Sequence, residues 1–336
     1  MDIQTLTSTI KDIAIPGKGI LAADESNGTI AKRFDTIHVE PTEENRRAYR
    51  DLLFSAPHLN NYISGVILFE ETLYQHTVNG TPFPTLLSQN GIVPGIKVDQ
   101  GLVSLKNSPD EKITQGLDDL AKRLAEYKKA GARFAKWRAV YQISDRLPSQ
   151  SAVDANADVL ARYAAICQEV GIVPIVEPEV LMDGNHSIDR CFSVTKSVQL
   201  AVFKALAEHN VKLELMILKP NMVISGTHAN PQAPIEEVAK KTIELFRETV
   251  PATIPTINFL SGGQSDELAT AHLNAMNKIG HLPWNLSFSY GRALQAPALR
   301  VWQGKMENVK LAQEALLKRA KLNGFASEGK YKNNME

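Results

Sequence analysis

The chain has little of what marks several large protein classes, and each shortage excludes something. Its 336 residues include only two cysteines, Cys167 and Cys191. They form no CxxC pair and lie in stretches with a helical pattern, so reduced cytosolic thiols are expected and a disulfide framework is not. Neither sign of charge is in excess: lysine plus arginine and aspartate plus glutamate number 37 each. That balance leaves no electrostatic footprint for nucleic acid or an anionic membrane, although it permits a local basic pocket. No apolar run approaches the ~20 residues needed to span a bilayer. The opening MDIQTLTSTIKDIA lacks a basic segment followed by an apolar one. No secretory leader is read there, and a cytoplasmic location is expected.

Several catalytic signatures are missing as well. There is no Walker A sequence. The segment GKGILA (17–22) has the form G-x-G-x-x-A but precedes a strand pattern instead of following one, which argues against a dinucleotide site. Eight histidines are present (38, 58, 76, 186, 209, 228, 272 and 281), none at a predicted strand end and none in HExxH. A catalytic zinc built on histidines is therefore not expected, and His186 with Asp183 reads as a solvated loop. No cofactor is implied. Nothing rich in Pro, Gly or Ser divides the chain, so residues 1–336 read as a single domain with a polar, loosely held tail from about 324.

What is there is an alternation. Short β-rich apolar runs at 20–25, 65–70, 93–99, 134–139, 173–179, 215–221, 256–261 and 286–291 alternate with long amphipathic stretches. Most runs are apolar on both faces, as parallel strands covered by helices require. Ser108-Pro109-Asp110-Glu111 has the form of a capping box with proline at the first helical position. Ile113, Leu117, Leu120, Leu124 and Tyr127 mark one apolar face beyond it, and Gly131 stands where a C-terminal cap belongs. Helices are also expected over 153–170, 187–209, 235–249, 265–278 and 307–322. The order predicts an α/β fold, a (β/α)8 TIM barrel, with a doubly wound open sheet as the structural rival. The spacing of about 40 residues raises a solenoid or propeller, but the units share no sequence pattern.

In such a barrel chemistry sits at the C-terminal ends of the strands. The polar residues there are Asp24, Lys97, Lys136, Arg138, Glu177, Glu179, Lys219, the Ser261-Gly262-Gly263 turn and Gly291-Arg292. The i, i+2 pairs Lys136/Arg138 and Glu177/Glu179 point to the same side of their strands. One charge in a strand usually means a solvated edge. So many at one end of different strands point instead to a polar site, with a purely structural ion-pair cluster as the alternative. Lysine is almost never buried without a partner, and a desolvated ammonium beside other cations becomes a usable amine nucleophile. SGGQS (261–265) runs from a strand end into a helix start, where free N–H groups favour an anion. SYGRA (289–293) adds a glycine and an arginine in the next loop, and barrels commonly hold phosphate between these two loops.

These residues resemble a known family. GILAADESNGTIAKR (19–33), TEENRRAYRDLL (42–53), GIKVDQG (95–101), FAKWR (134–138), GIVPIVEPEVL (171–181), LKPNMV (218–223), FLSGGQS (259–265) and SYGRALQ (289–295) are similar to class I fructose-1,6-bisphosphate aldolases of the animal and plant type. The similarity runs from about residue 10 to 331. It implies that Lys219 forms a Schiff base with C2 of the ketose and that Glu177 is the general acid and base. It also implies that Asp24 and Lys136 orient the nucleophile and polarise the C4 hydroxyl, with Glu179 as a supporting carboxylate. Ser261, Gly262, Gly291 and Arg292 match the C1-phosphate site. Ser26, Thr29, Arg33, Lys97 and Arg138 match the other phosphate or the hydroxyl-binding groove. A metal-independent lyase acting on a sugar phosphate follows from the resemblance, as does a homotetramer.

One feature departs from the family. Animal-type members end in a tyrosine that helps exchange the C3 proton of the enamine. Here the last residues read NNME, and Tyr331 matches an internal GKY stretch. Either another group protonates the enamine or that step is slow. Sedoheptulose bisphosphate or fructose 1-phosphate as substrate, and a non-catalytic scaffold on the same fold, remain open alternatives.

Overall fold

The strands are buried on both faces because each face has its own apolar partner. In the computed structural model, which describes residues 1–336, Leu21, Ala23, Ala135, Trp137, Val176 and Leu218 pack outward into a core of 81 buried residues beneath the helices. Their strand neighbours Ile20, Ala22, Phe134, Val173, Ile175 and Ile217 turn inward into a separate cluster of 12. The strands are β1 (Gly19–Ala23), β2 (Ile63–Leu68), β3 (Val93–Lys97), β4 (Leu102–Leu105), β5 (Ser108–Thr114), β6 (Phe134–Tyr141), β7 (Val173–Val180), β8 (Ile217–Leu218), β9 (Thr256–Phe259) and β10 (Asn285–Tyr290). All but β4 and β5 form a closed barrel in the order β1-β10-β9-β8-β7-β6-β3-β2, every pairing parallel. The expected (β/α)8 barrel is borne out, and the pairing of β1 with β10 rules out the open sheet.

The first helix, α1 (Ile3–Ile13), closes the N-terminal end of the barrel. Leu6, Ile10 and Ile13, spaced for one helical face, join the inner cluster, and Asp2 caps the helix by accepting from the Thr5 N–H at 3.1 Å. Above this plug Phe134 fills the barrel. It fits because β3 carries Gly95, where an added Cβ would lie 2.2 Å from the ring. The lower half of the barrel is thus mainly apolar, although its strands also bury Ser64, Thr256, Asn258 and Ser287 with hydrogen-bond partners, and the charged strand residues gather at the C-terminal rim.

The outer helices follow the expected caps. Ser149, Ser187 and Ser265 accept from N–H groups at the starts of Gln150–Val170, Ile188–Glu208 and Asp266–Lys278, and Gly171 (φ 82°) ends the first of these. Ile235–Thr249 has the bounds expected. Two expectations fail. Ser108–Thr114 is not a helix start but β5, paired antiparallel with β4 in a two-stranded hairpin, and the helix begins only at Leu120. The capping-box residues do pair, but Glu111 serves the hairpin. Its carboxylate accepts from Ser108 Oγ (2.6 Å), Ser149 N–H (2.7 Å) and Ser149 Oγ (2.5 Å), tying β5 to the next long helix. Nor is the end of the chain loose. The helix Val309–Ser327 runs past Gly324, Tyr331 is buried, and Arg319 (4% exposed) donates to both carboxylate oxygens of Glu336.

Candidate active site

The strand register brings the rim charges together. Pairing of β6 with β7 sets Lys136 opposite Ile175 and Arg138 opposite Glu177, so both basic residues and both glutamates face into the barrel. Lys219 follows the two-residue β8, and its N–H donates to Val176 O at 2.9 Å, continuing the ladder. Asp24 follows β1, and Lys97 ends β3. These side chains line one cleft of about 650 Å3 at the C-terminal rim. All the residues singled out from the sequence reach it: Asp24, Ser26, Thr29, Arg33, Lys97, Lys136, Arg138, Glu177, Glu179, Lys219, Ser261, Gly262, Gly291 and Arg292.

At its base Lys136 Nζ lies 2.8 Å from Asp24 Oδ2 and 3.2 Å from Glu177 Oε2, and Lys219 Nζ lies 3.1 Å from Glu177 Oε1. Lys136, Glu177 and Lys219 are each under 5% exposed. Burial alone would raise the Asp24 and Glu177 carboxyls. The Lys136 ammonium, followed by Lys219, outweighs it and holds both below the usual carboxylate range. Burial likewise opposes the charge on Lys136, but Asp24, Glu177 and Asp99 together raise its pKa. Glu179 pairs with Arg138. Lys97, Lys136, Arg138 and Lys219 thus stand against Asp24, Asp99, Glu177 and Glu179, and the cluster is neutral as a whole. The Glu177 Oε2 contact with Lys136 is an ion pair by distance but is not aligned as a hydrogen bond. That oxygen is left with spare accepting capacity beside the Lys219 amine.

The rim opposite is built from loops after β9 and β10. Ser261, Gly262 and Gly263 (φ 75°) form the turn that leads to Ser265, the cap of Asp266–Lys278. Gly291 precedes the helix Arg292–Trp302 with no side chain capping its first N–H groups. Arg292 donates to the Gln264 carbonyl, which ties the two loops, and it forms no ion pair. Unpaired N–H groups at adjacent helix starts, with an arginine beside them, suit a dianion. On the β1 side Ser26 and Thr29 lie 3.1 Å apart at the start of Asn27–Asp35. Arg33 reaches the same rim.

Sequence reasoning missed Glu25, Asp99 and Ser289, which also line the cleft. Glu25 is nearly buried and receives Arg33 (2.5 Å), Arg50 (2.7 Å) and Gln295 (2.9 Å), so it fixes the basic groups of the rim. Asp99 accepts from Lys97 at 2.7 Å. It stands two residues after Lys97, so the i, i+2 rule that selected Arg138 and Glu179 would have selected it too. No histidine lines the cleft, and no group of three or more His, Cys, Asp or Glu side chains is arranged to hold a metal ion. No helix is long and apolar enough to cross a membrane.

Comparison with known proteins shows the family. The family model described as fructose-bisphosphate aldolase class-I matches residues 5–336. A probable fructose-bisphosphate aldolase class 1 of Xanthomonas campestris is 54% identical over 333 residues, covering 99% of this chain and all of that one. The fructose-bisphosphate aldolase of Drosophila melanogaster is 57% identical, over 97% of this chain and 91% of its own. The Plasmodium falciparum aldolase, solved in complex with TRAP and a small-molecule inhibitor, superposes with a TM-score of 0.97 at 53% identity, covering 98% and 96% of the two chains. The chain belongs to the class I fructose-bisphosphate aldolases.

Proposed function

We propose that Lys219 is the imine-forming nucleophile of a reversible cleavage of fructose 1,6-bisphosphate to dihydroxyacetone phosphate and glyceraldehyde 3-phosphate. The observation that carries this reading is the Lys219–Glu177–Lys136–Asp24 network, set on an apolar floor at the base of the cleft. Glu177, 3.1 Å from the amine, takes a proton from Lys219 as its nitrogen adds to C2 of the ketose. The carbinolamine loses water with a proton from the same carboxyl. The iminium then draws in the electrons of the C3–C4 bond as the C4 hydroxyl gives its proton to Glu177. Glyceraldehyde 3-phosphate departs. The enamine left on Lys219 is protonated at C3 and hydrolysed to dihydroxyacetone phosphate, which restores the amine.

Asp24 and Lys136 orient the nucleophile and polarise the C4 hydroxyl, and Glu179 holds Arg138 in place. Ser261, Gly262, Gly291 and Arg292 bind the C1 phosphate. Ser26, Thr29, Arg33, Lys97 and Arg138 receive the second phosphate or the hydroxyls between. Fixing both ends contributes by orientation, since a well-held reacting bond needs no further loss of translational freedom. The protein acts in the cytosol, as its Arabidopsis relative named fructose-bisphosphate aldolase 5, cytosolic, does by name, and it assembles as a homotetramer.

Steady-state cleavage assays on fructose 1,6-bisphosphate, fructose 1-phosphate and sedoheptulose 1,7-bisphosphate test the reading. The bisphosphate of fructose is expected to have the highest kcat/KM. Glu177→Gln should lower kcat by roughly 10²–10⁴-fold, the range for a positioned acid–base group. An unchanged kcat in Glu177→Gln would remove the proton-transfer role.

A further inference from the structure

We infer that His272 is a positioning residue for the anion-binding rim: its ring holds the Gln264 side chain, and Gln264 in turn holds Arg292. His272 lies on the second turn of Asp266–Lys278, does not line the cleft, and is 2% exposed. Its Nδ1 is 2.7 Å from Gln264 Oε1. Gln264 is also buried, at 3%, although it sits in the turn that follows Ser261 and Gly262. Its side chain points back to the helix while its backbone carbonyl accepts from Arg292. A single residue thus links the helix interior to the arginine at the rim.

The tautomer follows from the partner. An amide oxygen only accepts, so the ring proton sits on Nδ1 and Nε2 is a bare acceptor, buried without a partner. Burial also depresses the ring pKa to about 4, which keeps it neutral and fixes one donor at neutral pH. The turn's other hydrogen bonds at Gln264 are a long N–H bond to Ser261 O at 3.3 Å and the bond its carbonyl accepts from Arg292, so the His272 contact is the one that fixes its side chain. Arg292 makes no ion pair that could place it instead. Holding such a turn in its bound shape saves ordering cost when the anion arrives. The inference rests on the reading that this rim takes a substrate phosphate.

The test is competitive inhibition of cleavage by inorganic phosphate, with KM and kcat, in wild type, His272→Leu, His272→Asn, Gln264→Met and Arg292→Ala. Thermal melting of each variant accompanies it. His272→Leu and Gln264→Met are expected to weaken phosphate inhibition and raise KM by roughly three- to tenfold, the value of one hydrogen bond, with kcat within about twofold. The double variant His272→Leu/Gln264→Met should be no worse than either single one. His272→Asn, whose Nδ2–H can take the place of the ring N–H, should restore binding to within about twofold. A merely structural histidine would show lower stability with no split between KM and kcat and no rescue by Asn. Unchanged phosphate inhibition in His272→Leu and Gln264→Met, beside a weakened Arg292→Ala, would overturn the inference alone. Unchanged inhibition in Arg292→Ala would overturn the phosphate reading itself, and the inference with it. If His272→Leu does not fold, Gln264→Met decides, because it leaves the histidine in place.

Discussion

Lys136 is the residue on which the site's electrostatics turn. It is buried, and it is the chief cation opposing the burial penalty on both Asp24 and Glu177. Replacing it with methionine leaves two buried carboxylates without their main partner. Such a break costs about 3–5 kcal/mol at neutral pH. The sign of its pH dependence follows from the depressed carboxyls. Their stabilising contribution is full above the ordinary carboxylate range near 4 and is lost as pH falls through their lower native values. The stability gap between wild type and Lys136→Met, measured by urea denaturation, should therefore be widest at pH 7 and shrink below about pH 4. A gap that does not change with pH would show that these ion pairs do not set it. Much of this layer was legible, because alternation along a strand puts Lys136 with Arg138 and Glu177 with Glu179 on one side. Glu25 was not, since its partners Arg33 and Arg50 are decided by where two helices dock. Gln264 and His272 were hidden for the same reason: a polar pair eight residues apart carries no spacing signal.

Among the elements, those with strong local signals were legible and those decided by tertiary contacts were not. The helix Ile235–Thr249 has its expected bounds because Pro251 stops it and its apolar face is continuous. β5 was misread because Ser108, Pro109 and Glu111 suit a helix start as well as a hairpin, and the competing partner, Ser149, lies 38 residues on. The tail was misread because its composition is polar, while its anchor, Arg319, is in the preceding helix. Arg319 donates to Glu336, to Asp266 O at 2.8 Å and to Thr270 Oγ1 at 2.5 Å. Arg319→Met should cost about 1–3 kcal/mol, chiefly from the hydrogen bonds lost by Asp266 O and Thr270 Oγ1, since Glu336 is exposed and can be rehydrated. It should also free the last residues, so trypsin would cut after Lys330 and Lys332 in native conditions well before it does so in wild type. Equal cleavage rates would show that the tail is held by other contacts.

For the whole molecule, eight alternations of strand and helix predicted a closed barrel of parallel strands under helices, with an open sheet as the rival. Closure depends on β1 meeting β10 across nearly the full chain length, with Ile20 opposite Ser289, and no local pattern encodes that. What favoured the barrel was the number and spacing of the strands, and the charges at one end of so many of them then marked its polar site. The closed form then explains the chemistry. Helix α1 and Phe134 fill the lower half with mainly apolar side chains, and the charged layer is the rim, where opposed charges surround an amine. The central claim is that this amine is Lys219. The most direct test incubates the protein with dihydroxyacetone phosphate, reduces it with borohydride and maps the adduct by mass spectrometry beside Lys219→Met. One reduced adduct on Lys219, absent from the variant, is the expected result. No adduct on folded wild type, or an adduct on Lys136 or Lys97, would contradict the account.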